Sequence, residues 1–388
     1  MKNFEFYNPT RIIFGKGKIA SLSKQIPRKK RVLMLYGGGS IKQNGVYEQV
    51  IEALTKYEVF EFGGIESNPD YATLMEAVQL VRKEEIDFLL AVGGGSVIDG
   101  AKFISVASRY NGNDPWDILA NGLGANLKRA IPIGAVLTLP ATGSEMNRNS
   151  VVSNRQLGKK FSFASDKVFP LFSILDPTVT FSLPQKQIRN GLVDAYVHVL
   201  EQYLTFPTGS AVQDRQAEAL LLAIHEIAPA AMQSDPPDYN ARANFMWVCT
   251  NALNHLIGVG VPQDWSTHGI GHTLTAIYDL AHAESLAVVL PWLLRYKLEQ
   301  KAEKLLQYGE RVLGVSGGTE DERLNRTIEA LSDFFHSLDM PTTLTAYNLN
   351  PNLVAHEVQE QLVAEGFLRG EHRDVTPEDV AEILRMSK

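Results

Sequence analysis

The chain has 388 residues, 45% of them hydrophobic and 21% charged. That is ordinary globular composition, long enough for two domains, and it excludes a disordered chain, a fibre and a coiled coil. The net charge of −7, with both signs interspersed, excludes a global basic field for nucleic acid or anionic lipid. The single cysteine, Cys249, cannot close an internal disulfide, which fits a reducing compartment. No stretch reaches the ~18 uninterrupted apolar residues of a membrane span, and the N-terminal residues hold no apolar signal-peptide core. The expectation is a cytoplasmic protein without a nucleic-acid or membrane partner.

Arg31–Tyr36 is a buried-strand pattern that runs into Gly37-Gly38-Gly39. A helical pattern follows from about Lys42 to Lys56, then a strand at Val59–Gly63 and a helix at Ala72–Lys83. Phe88–Val92 reads as a further strand, stopped by Gly93-Gly94-Gly95, with a helix over Ser96–Arg109. Ile131–Leu139 and Leu171–Leu175 are two more strand patterns. This alternation predicts a parallel sheet covered on both faces. Past Ser182 only helical periodicity remains, over Gly191–Leu204, Val212–Met232, Ala241–Ile257, Leu274–Ile277, Glu284–Gln307, Leu324–Ser337 and Pro377–Met386. The sequence therefore divides into an α/β domain, 1–183, and an all-helical domain, 184–388.

A glycine-rich turn between a parallel strand and a helix is where phosphates bind, because free N–H groups face the anion and the backbone comes close. Gly93-Gly94-Gly95-Ser96 is one such turn and Gly37-Gly38-Gly39-Ser40 is a second. No acid follows the second one to hold an adenosine ribose; Ser40 and Lys42 stand there instead. A hydroxyl and an ammonium suit a 2′-phosphate, which favours NADP(H) over NAD(H). A third polar loop, Thr138 to Asn147, lies at the same carboxyl edge.

Five of the nine histidines stand without evident partners, and the rest are arranged. Asp194 and His198 are four apart on a helix pattern and share a face, as do His268 and His272; His282 follows ten residues later. A carboxylate with imidazoles suits Zn²⁺ or Fe²⁺. Spacing leaves His268 and His272 as alternatives.

Val92-Gly-Gly-Gly-Ser-Val-Ile-Asp-Gly-Ala-Lys102 resembles the GGGSxxDxAK cofactor signature of the iron-containing (group III) alcohol dehydrogenases. Gly191-Leu-Val-Asp-Ala-Tyr-Val-His-Val-Leu-Glu201, Thr267-His-Gly-Ile-Gly-His272 and His282-Ala283 resemble the family's metal segments. The likeness covers nearly the whole chain. Tyr36–Ser40, Leu137–Glu145 and Val261–Trp265 resemble the NADPH-dependent aldehyde reductases within the family.

The resemblance implies a Rossmann-like α/β domain, an all-α C-terminal domain of the dehydroquinate synthase-like architecture, and a homodimer. It implies metal ligands at Asp194, His198, His268 and His282, with His272 near the nicotinamide and substrate; as an imidazole so placed, His272 is the candidate proton relay. Gly37, Gly38, Gly39 and Ser40 match the 2′-phosphate site. Gly94, Gly95, Ser96 and Asp99 match positions around the pyrophosphate and nicotinamide. Thr138, Thr142, Asn147 and Lys160 match further cofactor contacts. The expected reaction is reversible, metal-dependent reduction of short-chain aliphatic aldehydes by NADPH. The rivals are an NAD-dependent polyol dehydrogenase of the glycerol type and a dehydroquinate-synthase-like lyase. The lyase needs converging basic residues that the metal segments lack. Met146, Arg148 and Asn149 depart from the smaller residues expected there, and Met146 with Trp265 is a candidate pocket wall.

Overall fold

The computed structural model describes residues 1–233 and 235–388. In chain order the first half forms β1 (Arg11–Phe14), β2 (Arg31–Tyr36), α1 (Val46–Ala53), β3 (Glu58–Phe62), α2 (Tyr71–Lys83), β4 (Phe88–Gly94), α3 (Gly95–Ala107) and a single turn, α4 (Asp117–Ala120). Then come β5 (Ile133–Leu139), β6 (Asn149–Asn154), β7 (Lys159–Ala164) and β8 (Phe172–Leu175). Six strands make one parallel sheet, ordered β1-β8-β5-β4-β2-β3. The inner strands are apolar along their length because helices cover both faces. Leu33, Leu35, Leu89 and Leu90 are fully buried, each contributing ~1.5–3 kcal/mol.

Three adjacent strands, β2, β4 and β5, carry at their carboxyl ends the glycine loops at 37–39 and 93–95 and the polar loop from Thr138. The expected helix from Lys42 is shorter. A 3₁₀ turn spans Ser40–Lys42, and Gly45, in the left-handed region at φ 78°, re-aims the chain into α1. β1, the turn α4 and the β6–β7 hairpin went unpredicted. β1 is only four residues long, and β6–β7 is an antiparallel hairpin whose serines and asparagines hide a period-two burial pattern.

The second half is helical: α5 (Gln185–Tyr203), α6 (Ala211–Met232), α7 (Tyr239–Ala252), α8 (Ser266–Tyr278), α9 (His282–Tyr296), α10 (Leu298–Arg311), α11 (Glu320–Ser337), α12 (Pro351–Glu365) and α13 (Pro377–Met386). The run expected over Glu284–Gln307 is two helices broken at Lys297, and α12 was unpredicted. Ile270 and Leu274 of α8 pack with Val288, Val289 and Leu293 of α9 and with Val354 and Val358 of α12. Among the described residues no helix is long and apolar enough to cross a membrane.

Contacts divide the chain into two units: an α/β unit, residues 7–188 and 230–254, and a helical unit, residues 1–6, 189–229 and 255–388. The segment carrying α7 groups with the α/β unit for a visible reason. Its buried Arg242 donates to the carbonyl of Thr180, and its Thr250 hydroxyl donates to the Glu145 carboxylate.

Candidate active site

In the helical unit, α5 presents Asp194, His198 and Glu201 along one stripe, since positions i, i+4 and i+7 share a helix face. Helix α8 supplies His268 and His272, and α9 begins with His282. The Nε2 atoms of His198, His268 and His282 each lie 3.6 Å from one oxygen, Oδ1 of Asp194. That is too long for hydrogen bonds. It is close to the ligand–ligand spacing of about 3.4 Å around a four-coordinate ion with bonds near 2.1 Å.

Asp194 Oδ1 and His268 Nε2 are buried and make no hydrogen bond. Orphaned buried polar atoms facing one another are costly, and a cation between them removes the cost. Asp194, His268 and His282 offer atoms all within 4.8 Å of one another. His198 stands outside that mutually close trio, on the same carboxylate oxygen, and its ring stacks on His268 at 4.5 Å. The residues present fit a divalent ion.

The electrostatics agree. Burial alone would push the Asp194 carboxyl up, but the surrounding imidazoles of His198, His268 and His282 hold it well below the carboxylate range. Burial pushes His198 down to about 4, so it offers a neutral nitrogen. Burial opposes charge on His268 too, yet Glu201 and Asp194 raise it to about 9.

Sequence reasoning left Glu201 without a role. Its carboxylate accepts from His268 Nδ1 and, at 3.2 Å, from the His268 backbone N–H. A carboxylate behind a ligating histidine fixes its tautomer and aims the other nitrogen. The signal was the i+7 position on the Asp194 stripe. Asp264, also missed, accepts from the N–H (3.1 Å) and hydroxyl of Ser266 at the start of α8, and buried Lys301 holds it at 2.9 Å.

His272 is half-buried, with its ring 5.5 Å from that of His282, and lies outside the mutually close trio. Of the two alternatives left by spacing, His268 is the one that faces Asp194. Trp265 packs edge-on against His198 and His268, at 6.2 and 5.4 Å, and walls the cluster.

In the α/β unit the loops are built in two ways. At Gly38 and Gly39 there is room, with nothing near the place of a Cβ and Gly39 at φ 95°, whereas a Cβ at Gly37 would lie 3.1 Å from the Ile65 carbonyl oxygen. Gly95 is different, because a Cβ there would lie 2.3 Å from the Thr142 hydroxyl. Two loops are thus pressed together, and the glycine serves packing as well as access.

Beneath them lies a buried network. Lys102 Nζ donates to Ser144 Oγ (2.7 Å), Asn147 Oδ1 (2.9 Å) and the Asn149 carbonyl (2.7 Å). Asp99 accepts from Ser144 Oγ and the Val151 N–H. Asn147 spends its amide on the carbonyls of Leu253 and Thr142. Asp99 and Asn147 therefore brace the loops. Ser96 Oγ accepts from the Asn68 N–H, and Lys160 Nζ donates to Asn68 Oδ1 at 2.9 Å. Met146 and Arg148 belong to this unit as well, and Arg148 is spent on Asp166 at 2.6 Å.

The ammonium of Lys42 has company that the sequence did not reveal. It lies 3.6 Å from Glu61 Oε2, over the rings of Tyr36 and Tyr47 at 4.9 and 4.8 Å. No acid follows β2 directly, but the neighbouring strand β3 brings one in from the side.

The family model for iron-containing alcohol dehydrogenase matches residues 9–177, and the model for the C-terminal region of the Fe-containing alcohol dehydrogenase family matches 189–387. The NADPH-dependent aldehyde reductase YqhD of Escherichia coli is 52% identical over 378 residues, covering 97% of each chain. The probable NADH-dependent butanol dehydrogenase 1 of Bacillus subtilis is 41% identical over the whole of both chains. A crystal structure of E. coli YqhD superposes with a TM-score of 0.97 at 50% identity, covering 100% of this chain and 99% of that one. NADH-dependent butanol dehydrogenase A of Thermotoga maritima superposes with a TM-score of 0.92 at 35% identity, with the same coverage. With both halves matched in order and full-length relatives above 30% identity, the chain belongs to the iron-containing alcohol dehydrogenase family and is an oxidoreductase.

Proposed function

We propose that this enzyme reduces short-chain aliphatic aldehydes to primary alcohols with NADPH, reversibly, using one divalent ion, Fe²⁺ or Zn²⁺. The observation that carries the reading is the convergence of three imidazole nitrogens on Asp194 Oδ1. When bound, the ion supplies Lewis acidity and the nicotinamide supplies the hydride. Asp194, His198, His268 and His282 hold the ion, and Glu201 aims His268. Trp265 offers an apolar wall that suits an alkyl chain better than a polyol. His272, half-buried beside His282, gives the product oxygen its proton.

Gly37, Gly38, Gly39, Ser40, Gly94, Gly95, Ser96, Thr138, Thr142 and Lys160 form the cofactor cradle, with Asp99 and Asn147 bracing it from behind. We assign a cytoplasmic location and a homodimer on the family resemblance. A second reading, NADH as the reductant, has one observation in its favour. Glu61 beside Lys42 takes up part of the positive charge that a 2′-phosphate would use.

The test is oxidation of NADPH against NADH with butanal, before and after chelation. Fast NADPH turnover that chelation stops and Fe²⁺ or Zn²⁺ restores is the expected result. An NADH preference overturns the cofactor assignment, and chelation-resistant turnover overturns the role of the ion.

A further inference from the structure

At the amino edge of the sheet, opposite the glycine loops, lies a cavity of about 510 Å³. Its lining brings together Arg109, which follows α3; Lys128 and Arg129, which lead into β5; and Lys167, which leads toward β8. Backbone bonds hold the approach segments in place: the Ile131 N–H donates to Ser105 O at 3.2 Å, and the Leu171 N–H to Ile133 O at 2.8 Å. Among the described residues none of the four cationic side chains has a carboxylate partner. The acid next in sequence, Asp166, is taken by Arg148 at 2.6 Å. Four unpaired cations therefore converge on one concavity in a chain whose net charge is −7. Bringing like charges together is unfavourable unless a counter-charge offsets it. Buried Phe169 and half-exposed Leu171 add an apolar side to the same cavity.

We propose that this cavity binds a multiply phosphorylated small organic anion at a site separate from the nicotinamide cofactor. Two guanidinium forks give paired hydrogen bonds to phosphoryl oxygens, and two ammonium groups supply point charge. Phe169 and Leu171 offer surface to the organic part of the ligand. The seven residues of β5 separate this edge from the Thr138 loop, about 20 Å at strand rise. Occupancy here and cofactor occupancy at the carboxyl edge therefore do not exclude each other.

The test is titration calorimetry of the metal-loaded, NADPH-saturated enzyme with pyrophosphate and with ADP, using inorganic phosphate as the weaker reference. The expected result is one site per chain, pyrophosphate and ADP tighter than phosphate, with affinity falling as salt rises. The variants Arg129→Glu and Lys167→Glu, both at exposed positions, should each weaken binding roughly tenfold or more, with an unchanged KM for NADPH and an unchanged melting temperature. Absence of heat with both diphosphates overturns the proposal. So does binding that appears only without NADPH, which would put the anion in the cofactor loops, or binding that both variants leave intact. Retention of heparin but of neither diphosphate also overturns it, in favour of a non-specific basic face.

Discussion

His268 is held from two sides, by Glu201 at Nδ1 and opposite Asp194 at Nε2. His268→Ala should therefore empty the metal site and abolish activity, with metal content read by elemental analysis. Glu201→Gln keeps the ligand but loses the charge that orients it, and metal affinity should fall roughly 10–100-fold, measured against a competing chelator. His272→Ala should retain the ion while turnover drops by a factor on the order of 10²–10⁴; loss of the ion would remove His272 from its assigned role. The Asp194/His198 pair was legible because two residues four apart on one helix need no tertiary information. Glu201 was not, because its partner lies 67 positions further along the chain. Glu61 was illegible for a related reason: it reaches Lys42 across a strand pairing, and pairing order is not written in local pattern.

Among the elements, strands β2, β4 and β5 and helices α2, α3 and α13 announced themselves through uninterrupted apolar runs or clean periodicity. β1 and the β6–β7 hairpin did not, since a short edge strand and a serine-rich ribbon carry little apolar signal. The Lys102 network joins α3 to that hairpin, and it is fully buried. Lys102→Met would take the ammonium donor from Ser144 Oγ, Asn147 Oδ1 and the Asn149 carbonyl and the counter-charge from buried Asp99, and should cost roughly 3–5 kcal/mol in urea unfolding. Its proton also has a sign that can be checked. Burial pushes Lys102 down from 10.5 to about 8, although Asp99 and Glu145 oppose the shift. Between those values the folded chain has released a proton that the unfolded chain still holds, so this group adds stability as pH rises through that window. The rise should be absent in Lys102→Met. At β3, Glu61→Gln removes a negative charge from beside Lys42, and KM for NADPH should fall about threefold relative to NADH.

At the scale of the whole molecule, the two units are not consecutive stretches of chain. Residues 230–254 return to the α/β unit after the chain has already built α5 and α6. A fragment of residues 1–183 lacks Arg242 and Thr250, so Thr180 O loses the guanidinium and the buried Glu145 carboxylate loses the Thr250 hydroxyl. Such a fragment should be cut rapidly in limited proteolysis, whereas the α/β unit within the intact chain should resist. The same threading dictates an order of events on the ribosome. The α/β unit cannot finish folding when its last strand emerges; it stays open until α7 has been translated. By then the Asp194–Glu201 segment is out, while His268 and His282 are still to be made. Loading of the proposed ion thus becomes a late step, which protects a nascent chain from capturing an ion with half a ligand set.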